Sequence, residues 1–142
     1  MKKTKLKIDY DYDFQLYGIV TNAREYKLAW SINKGLKINL VKQKDILIPM
    51  ANQGDLTITN LLFETENSSL RLIGNRSVGS SDGGKANLIP ELSNFTHFFV
   101  VRDEGDNFGS QELIRLLKAI SVIDYLTLIE IDKLKNKDNL IF

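Results

Sequence analysis

The sequence predicts an α+β domain: a mostly antiparallel sheet of about six strands with two helices on one face, in a ferredoxin-like arrangement. Three observations carry that expectation. Residues 6–20 alternate with a period of two, with Leu6, Ile8, Tyr10, Tyr12, Phe14, Leu16, Gly18 and Val20 at even positions; Lys7, Asp9, Asp11, Asp13 and Gln15 stand between the first of them. A pleated strand throws alternate side chains to opposite faces, so such a segment presses one face on a core and wets the other. Two later segments repeat apolar residues at helical spacing, and β-branched or aromatic runs bounded by turn formers supply the remaining strands.

Taken in order, the opening strand makes Tyr12, Phe14 and Leu16 core residues and turns Asp11 and Asp13 to solvent. Fifteen residues exceed the usual strand of about three to ten, so the segment must bend, bulge or run past the sheet. Thr21 or Asn22 then caps a helix over residues 23–34, carried by Tyr26, Ala29, Trp30, Asn33 and Leu36 at spacings of three and four. Gly35 suits the left-handed residue that ends helices, and Ile38 and Leu40 restart a strand toward Lys42. Pro49 and residues 51–55 read as a connection. Residues 56–66 and 70–75 flank Asn67-Ser68-Ser69 as a hairpin. Residues 76–87 hold Gly79, Gly83, Gly84, Ser77, Ser80, Ser81 and Asp82 with little apolar mass, which predicts a flexible loop internal to a single domain spanning residues 1–142. A strand over residues 95–102, a helix capped by Ser110 and carried by Leu113, Leu116, Leu117 and Ile120, and a strand over residues 122–131 complete two strand-helix-strand units. The hairpin is the part that a ferredoxin-like arrangement explains least.

Composition bounds the chemistry. With 142 residues, 43% hydrophobic and 26% charged, the chain is sized for one core and far from disordered composition. A net charge of +1 offers no strong field for nucleic acid or acidic lipid, and no apolar run reaches the roughly 18–20 residues of a membrane helix. No nucleic-acid or membrane partner is therefore expected. Without cysteine there is no thiolate nucleophile, disulfide or zinc-thiolate site. The charged start of the chain enters the alternating pattern without an apolar stretch or cleavage site, so the expected compartment is the cytoplasm.

Each candidate motif has a plainer competing explanation. Residues 79–85 match the G-x-x-x-x-G-K of a phosphate-binding loop, but Ala86 stands where a magnesium-holding Ser or Thr belongs, and Pro90 leaves little room for the helix that must follow. Asp9, Asp11 and Asp13 resemble the opening of a calcium loop, yet Phe14 and Val20 occupy its glycine and glutamate positions. No metal or cofactor is expected. His97 is the only histidine, so any imidazole chemistry must use it, and its apolar surroundings from Phe95 to Val101 favour a structural role. Tyr26 and Trp30 could line a pocket, though core packing is the simpler reading. Phe95, Phe98 and Phe99 lack the basic residues that accompany base-stacking aromatics.

Leu88-Ile89-Pro90-Glu91-Leu92, just before the aromatic strand, resembles the signature of the IPExxVD family, small uncharacterised bacterial proteins chiefly of the Bacteroidetes. Similarity extends through Asp11-Tyr12-Asp13-Phe14, Gly18-Ile19, the segment from Tyr26 to Trp30 with Asn33, Asn75-Arg76, and the closing Asn139-Leu140-Ile141-Phe142. The chain departs from the signature where Asn94-Phe95 replaces Val-Asp. The resemblance implies a fold and a lineage and carries no mechanism.

Pro90 would pin the end of the loop, and Glu91 would fall in the first turn of a short helix, where free amides favour a carboxylate. Two functional expectations follow. One is a non-catalytic interaction or assembly module with a protein partner or with itself; the other is a small-molecule-binding regulator or small enzyme using residues 76–91, with Arg76, Lys85, Glu91 and His97 as candidate binding residues.

Overall fold

The computed structural model describes residues 14–50, 54–78, 87–103 and 109–140. Among the described residues the strands and α-helices are β1 (Gln15–Val20), α1 (Glu25–Leu36), β2 (Val41–Lys42), β3 (Ile46–Met50), β4 (Gly54–Ile58), β5 (Asn60–Glu64), β6 (Ser68–Gly74), β7 (His97–Asp103), α2 (Ser110–Lys118) and β8 (Tyr125–Ile129). Six strands form one antiparallel sheet in the order β2-β5-β6-β7-β1-β8, and β3 pairs with β4 as a separate ribbon. The α+β class with two helices and a six-stranded antiparallel sheet is therefore the fold.

Within that order, β1 and β6 flank β7, while β7 and β8 flank β1. These are two interleaved split β-α-β units, the arrangement of ferredoxin-like folds. The chain between α1 and β6 adds β5 and β2 to the outside of β6 and sends β3 and β4 out as the ribbon.

Both faces of the sheet are covered. On one, Leu28 and Ile32 of α1 and Leu113 and Leu117 of α2 pack on Tyr17, Ile19, Phe99 and Val101. On the other, Leu56 and Ile58 of β4, Leu88, Ile89 and Phe95 of the segment before β7, and Ile131, Leu134 and Leu140 of the C-terminal turns pack on Leu16, Ile73, Phe98 and Val100. This explains where the half-buried reading of the first strand stops. Phe14 and Leu16 are buried as expected, but Tyr17 and Ile19 on the opposite face are equally buried, because central strands of a covered sheet lose their wet face. The expectations for Tyr12, Asp11 and Asp13 lie outside the described residues. Gly18 leaves no room for a side chain on this second face, since a Cβ there would fall 2.6 Å from the Phe95 ring and 2.7 Å from Ile129.

Several local readings need correction. α1 starts after Arg24, whose side chain makes no cap; Thr21 instead accepts the Ala23 amide at 3.0 Å and donates to the Val122 carbonyl, tying the turn to the connection between α2 and β8. Gly35 lies inside α1, where a Cβ would meet Ile120 at 3.2 Å, and Lys37 takes the left-handed conformation with φ 58°. The buried stripe of α1 is Leu28, Ala29, Ile32 and Leu36, so Tyr26 and Trp30 face outward at 74% and 60% exposure rather than packing in the core. Gly109 is the cap position of α2, with Ser110 as its first residue. Pro49, expected in a connection, sits in β3 opposite Asp55; a two-stranded ribbon tolerates proline because each strand keeps a free edge. The β5–β6 hairpin forms, but its turn precedes Ser68, which already belongs to β6, and Leu56–Ile58 belongs to the ribbon.

One buried side chain ties the back layer to the sheet. Asn75, fully buried at the end of β6, donates from Nδ2 to the Leu92 and Phe95 carbonyls, both at 2.9 Å, and accepts the Ile89 amide at 3.0 Å. Its backbone amide donates to Thr96 and its carbonyl accepts from Leu88. Asn75→Ala would strand the Ile89 donor and remove donors from two carbonyls. Each buried unsatisfied group costs about 1–3 kcal/mol, so urea unfolding should show a loss of at least ~2 kcal/mol, with amide exchange accelerating first at Leu88 and Ile89. A loss within experimental error would mean that the segment is held by packing alone.

Candidate functional site

The sheet opens at the end where β1 and β6 finish and β7 begins. His97, first residue of β7, lies between Gly74 of β6 and Ile19 of β1 in register. The period of the strand puts its side chain on the face of Phe99 and Val101, under the helices. There it meets Glu25 in the first turn of α1, where the helix dipole favours a carboxylate. His97 Nε2 is 3.3 Å from Glu25 Oε1, and the two side chains are 12% and 24% exposed. The Thr59 hydroxyl donates to the same oxygen, and Lys42 Nζ stands 3.8 Å from Oε2.

The other ring nitrogen is also held. Thr96 Oγ1 lies 3.0 Å from His97 Nδ1, accepts the Thr21 amide at 3.2 Å and is 3.1 Å from the Ile19 carbonyl. With the hydroxyl proton on Ile19, Nδ1 must donate to Thr96. With the hydroxyl turned to the ring, Nδ1 accepts and Nε2 donates to Glu25. In the second arrangement the imidazole is held at both nitrogens, and in either case the Thr96 oxygen is committed to the fold. Burial pushes the Glu25 carboxyl up, but the hydrogen bonds from His97 and Thr59 and the attraction of His97 and Lys42 outweigh it, holding this carboxyl below its ordinary value.

Glu25, Thr59, Thr96 and His97 line a cleft of about 270 Å³ that Gly74, Arg76 and Val78 complete. Gly74 is required here for space: a Cβ would fall 2.8 Å from Thr59 Oγ1 and displace the hydroxyl that holds Glu25. The rim is anchored to the ribbon, because Thr57 donates its amide to Ser77 Oγ at 2.9 Å and accepts the Val78 amide at 2.8 Å. Arg76 pairs through its backbone with Asn87 across the ends of the loop. Its exposed guanidinium makes no ion pair among the described residues.

Of the four residues proposed from sequence, Arg76 and His97 thus share one cleft. Glu91 lies elsewhere: within the short 3-10 turn Pro90–Leu92, its carboxylate accepts the amides of Lys135 and Asn136, at 2.6 and 3.0 Å, and the Asn136 side-chain amide at 2.6 Å. It clamps the C-terminal turns. Its slight burial raises the carboxyl, and the hydrogen bonds led by Asn136 bring it below its ordinary value. Lys85, the phosphate-loop pattern of residues 79–86 and the acidic triplet Asp9, Asp11 and Asp13 lie outside the described residues. Tyr26 and Trp30 stand on the outer surface of α1 and line no part of the cleft.

Sequence reading missed Glu25, Thr59, Gly74 and Thr96. Their separations follow no motif spacing, since they meet only because α1, the β4–β5 junction, β6 and β7 end at one place. The sole available signal was the pairing of the single histidine with a neighbouring threonine. Exposed Arg76 lines the cleft beside a fixed carboxylate, an imidazole and two hydroxyls, a set suited to hydrogen-bonded recognition of a small polar molecule. No family model, curated protein or solved structure matches the chain.

The Glu25 network has a signed pH signature. Because the folded carboxyl sits below its ordinary value of 4.5, the unfolded chain takes up the proton first as pH falls. The stabilisation is complete above that ordinary value and is lost as pH falls through the lower folded value. Glu25→Gln should flatten this limb of the stability–pH curve measured by urea unfolding; an unchanged slope would remove Glu25 from the linkage.

Proposed function

We propose that the chain is a small-ligand-binding domain whose ligand is a small polar anion, carrying a carboxylate or phosphate, held in the cleft between Arg76 and His97. The observation that carries this reading is that exposed Arg76, which makes no ion pair among the described residues, lines a cleft whose other polar groups are already fixed. An anion on Arg76 would complete a charge-assisted pair. Donor groups elsewhere on the ligand would meet Glu25, which still has acceptor capacity. At about 270 Å³ the cleft lies just under the range of roughly 300–1,000 Å³ for drug-sized ligands, which favours a small metabolite.

The reading is binding rather than turnover. A hydroxyl nucleophile needs a base and freedom to attack, whereas Thr96 Oγ1 already serves a backbone amide and a backbone carbonyl. The resemblance to the IPExxVD signature supports a bacterial, cytoplasmic setting. In that lineage Glu91 of the signature would be structural, consistent with its grip on Lys135 and Asn136.

The test is a thermal-shift panel of small carboxylates and phosphates. A ligand at a hundred times its dissociation constant adds about 2.7 kcal/mol, which a domain of this size registers as a rise of several degrees. At least one member should raise the melting temperature of the wild type, and Arg76→Ala and His97→Ala should each abolish the rise. A panel without effect, or an Arg76→Ala variant that responds as the wild type does, would remove the proposal.

A further inference from the structure

We infer that the outer face of α1 is a docking surface for an acidic protein segment carrying apolar side chains. At 3.6 residues per turn, Tyr26, Lys27, Trp30 and Lys34 fall within about 100° of arc. All four are exposed, and Lys34 Nζ lies 5.1 Å from the centre of the Trp30 ring. Arg24 and Lys37 extend the basic character to both ends of the helix. None of these four cations makes an ion pair among the described residues.

The one acid in this helix explains the imbalance. Surface helices usually offset their bases with acids three or four residues away, and α2 does so through Glu112 and Arg115. In α1 the only carboxylate, Glu25, is turned inward to Thr59 and His97. The outer face is left basic and aromatic, and no ion pair among the described residues neutralises it.

Charge decides the kind of partner. The whole chain is net +1, while residues 24–37 hold four bases and one acid, so the remainder is net negative. A short acidic segment matches the ridge alone, whereas an extended polyanion or an anionic bilayer would find no further basic excess in a remainder that is net negative. From Tyr26 to Lys34 the helix rises about 12 Å, the reach of roughly four extended residues. Exposed tryptophan and tyrosine are also the side chains that most often anchor protein interfaces.

Trp30 is the only tryptophan, so its fluorescence reports on this surface alone. A short peptide alternating glutamate and leucine should produce a saturable blue shift and protect Trp30 from acrylamide, and its lysine counterpart should do neither. The double variant Lys27→Glu, Lys34→Glu should weaken binding about ten-fold or more, and Tyr26→Ser should also weaken it with the circular dichroism spectrum unchanged. Absence of a saturable shift, equal binding by the charge-reversed variant, or a stronger response to phosphatidylglycerol vesicles or oligothymidylate would each overturn the inference.

Discussion

Asn75 sits where two demands coincide. It follows the last residue of β6, and it must hold down a segment with no sheet partner of its own: Leu88 to Phe95, which covers the back of the sheet. Backbone groups in such a segment need partners, and Asn75 serves four of them through its carbonyl and side chain, while its amide donates to the Thr96 carbonyl just beyond. A carboxamide presents two donors and an acceptor from one small group, which an aspartate or serine at that place cannot do. The next residue is Arg76, so the side chain that fastens the back layer also sets where the rim of the cleft begins.

Coverage on both faces gives the sheet its rigidity and the cleft its position. With helices above and the ribbon, the 88–95 segment and the C-terminal turns below, β1 and β7 are buried from both sides. Polar groups collect where that burial ends, at the junction of Val20, Gly74 and His97. A lone histidine can be polar there without being stranded, because Thr96 and Glu25 occupy its two nitrogens. The same burial makes the carboxylate-imidazole contact stronger than it would be in water.

Glu25 couples the interior and the surface. A glutamate in the first turn of a helix is stabilised by the dipole wherever it points; here Thr59, His97 and Lys42 draw it in. That choice builds the floor of the cleft and strips α1 of its surface acid. The two surfaces that distinguish this domain, a polar cleft and a basic aromatic ridge, therefore arise from the orientation of one side chain.

By itself the sequence determined the class of the fold. The alternation before Val20, the apolar spacing after Ser110 and the aromatic run before Arg102 are local patterns, and local patterns report which residues avoid water. They did not report how many faces of each strand would be covered, so Tyr17 and Ile19 were legible as apolar but not as the second buried face of β1. Tyr26 and Trp30 share helical spacing with true core residues, and only the seat of Leu28 and Ile32 on the sheet decided which stripe turned inward. Of the candidate site, the lone histidine and Arg76 were readable as residue types. Their union with Glu25, Thr59 and Thr96 was decided by tertiary structure, because contacts across dozens of residues depend on strand order and on where each element ends, and no single stretch of chain encodes either.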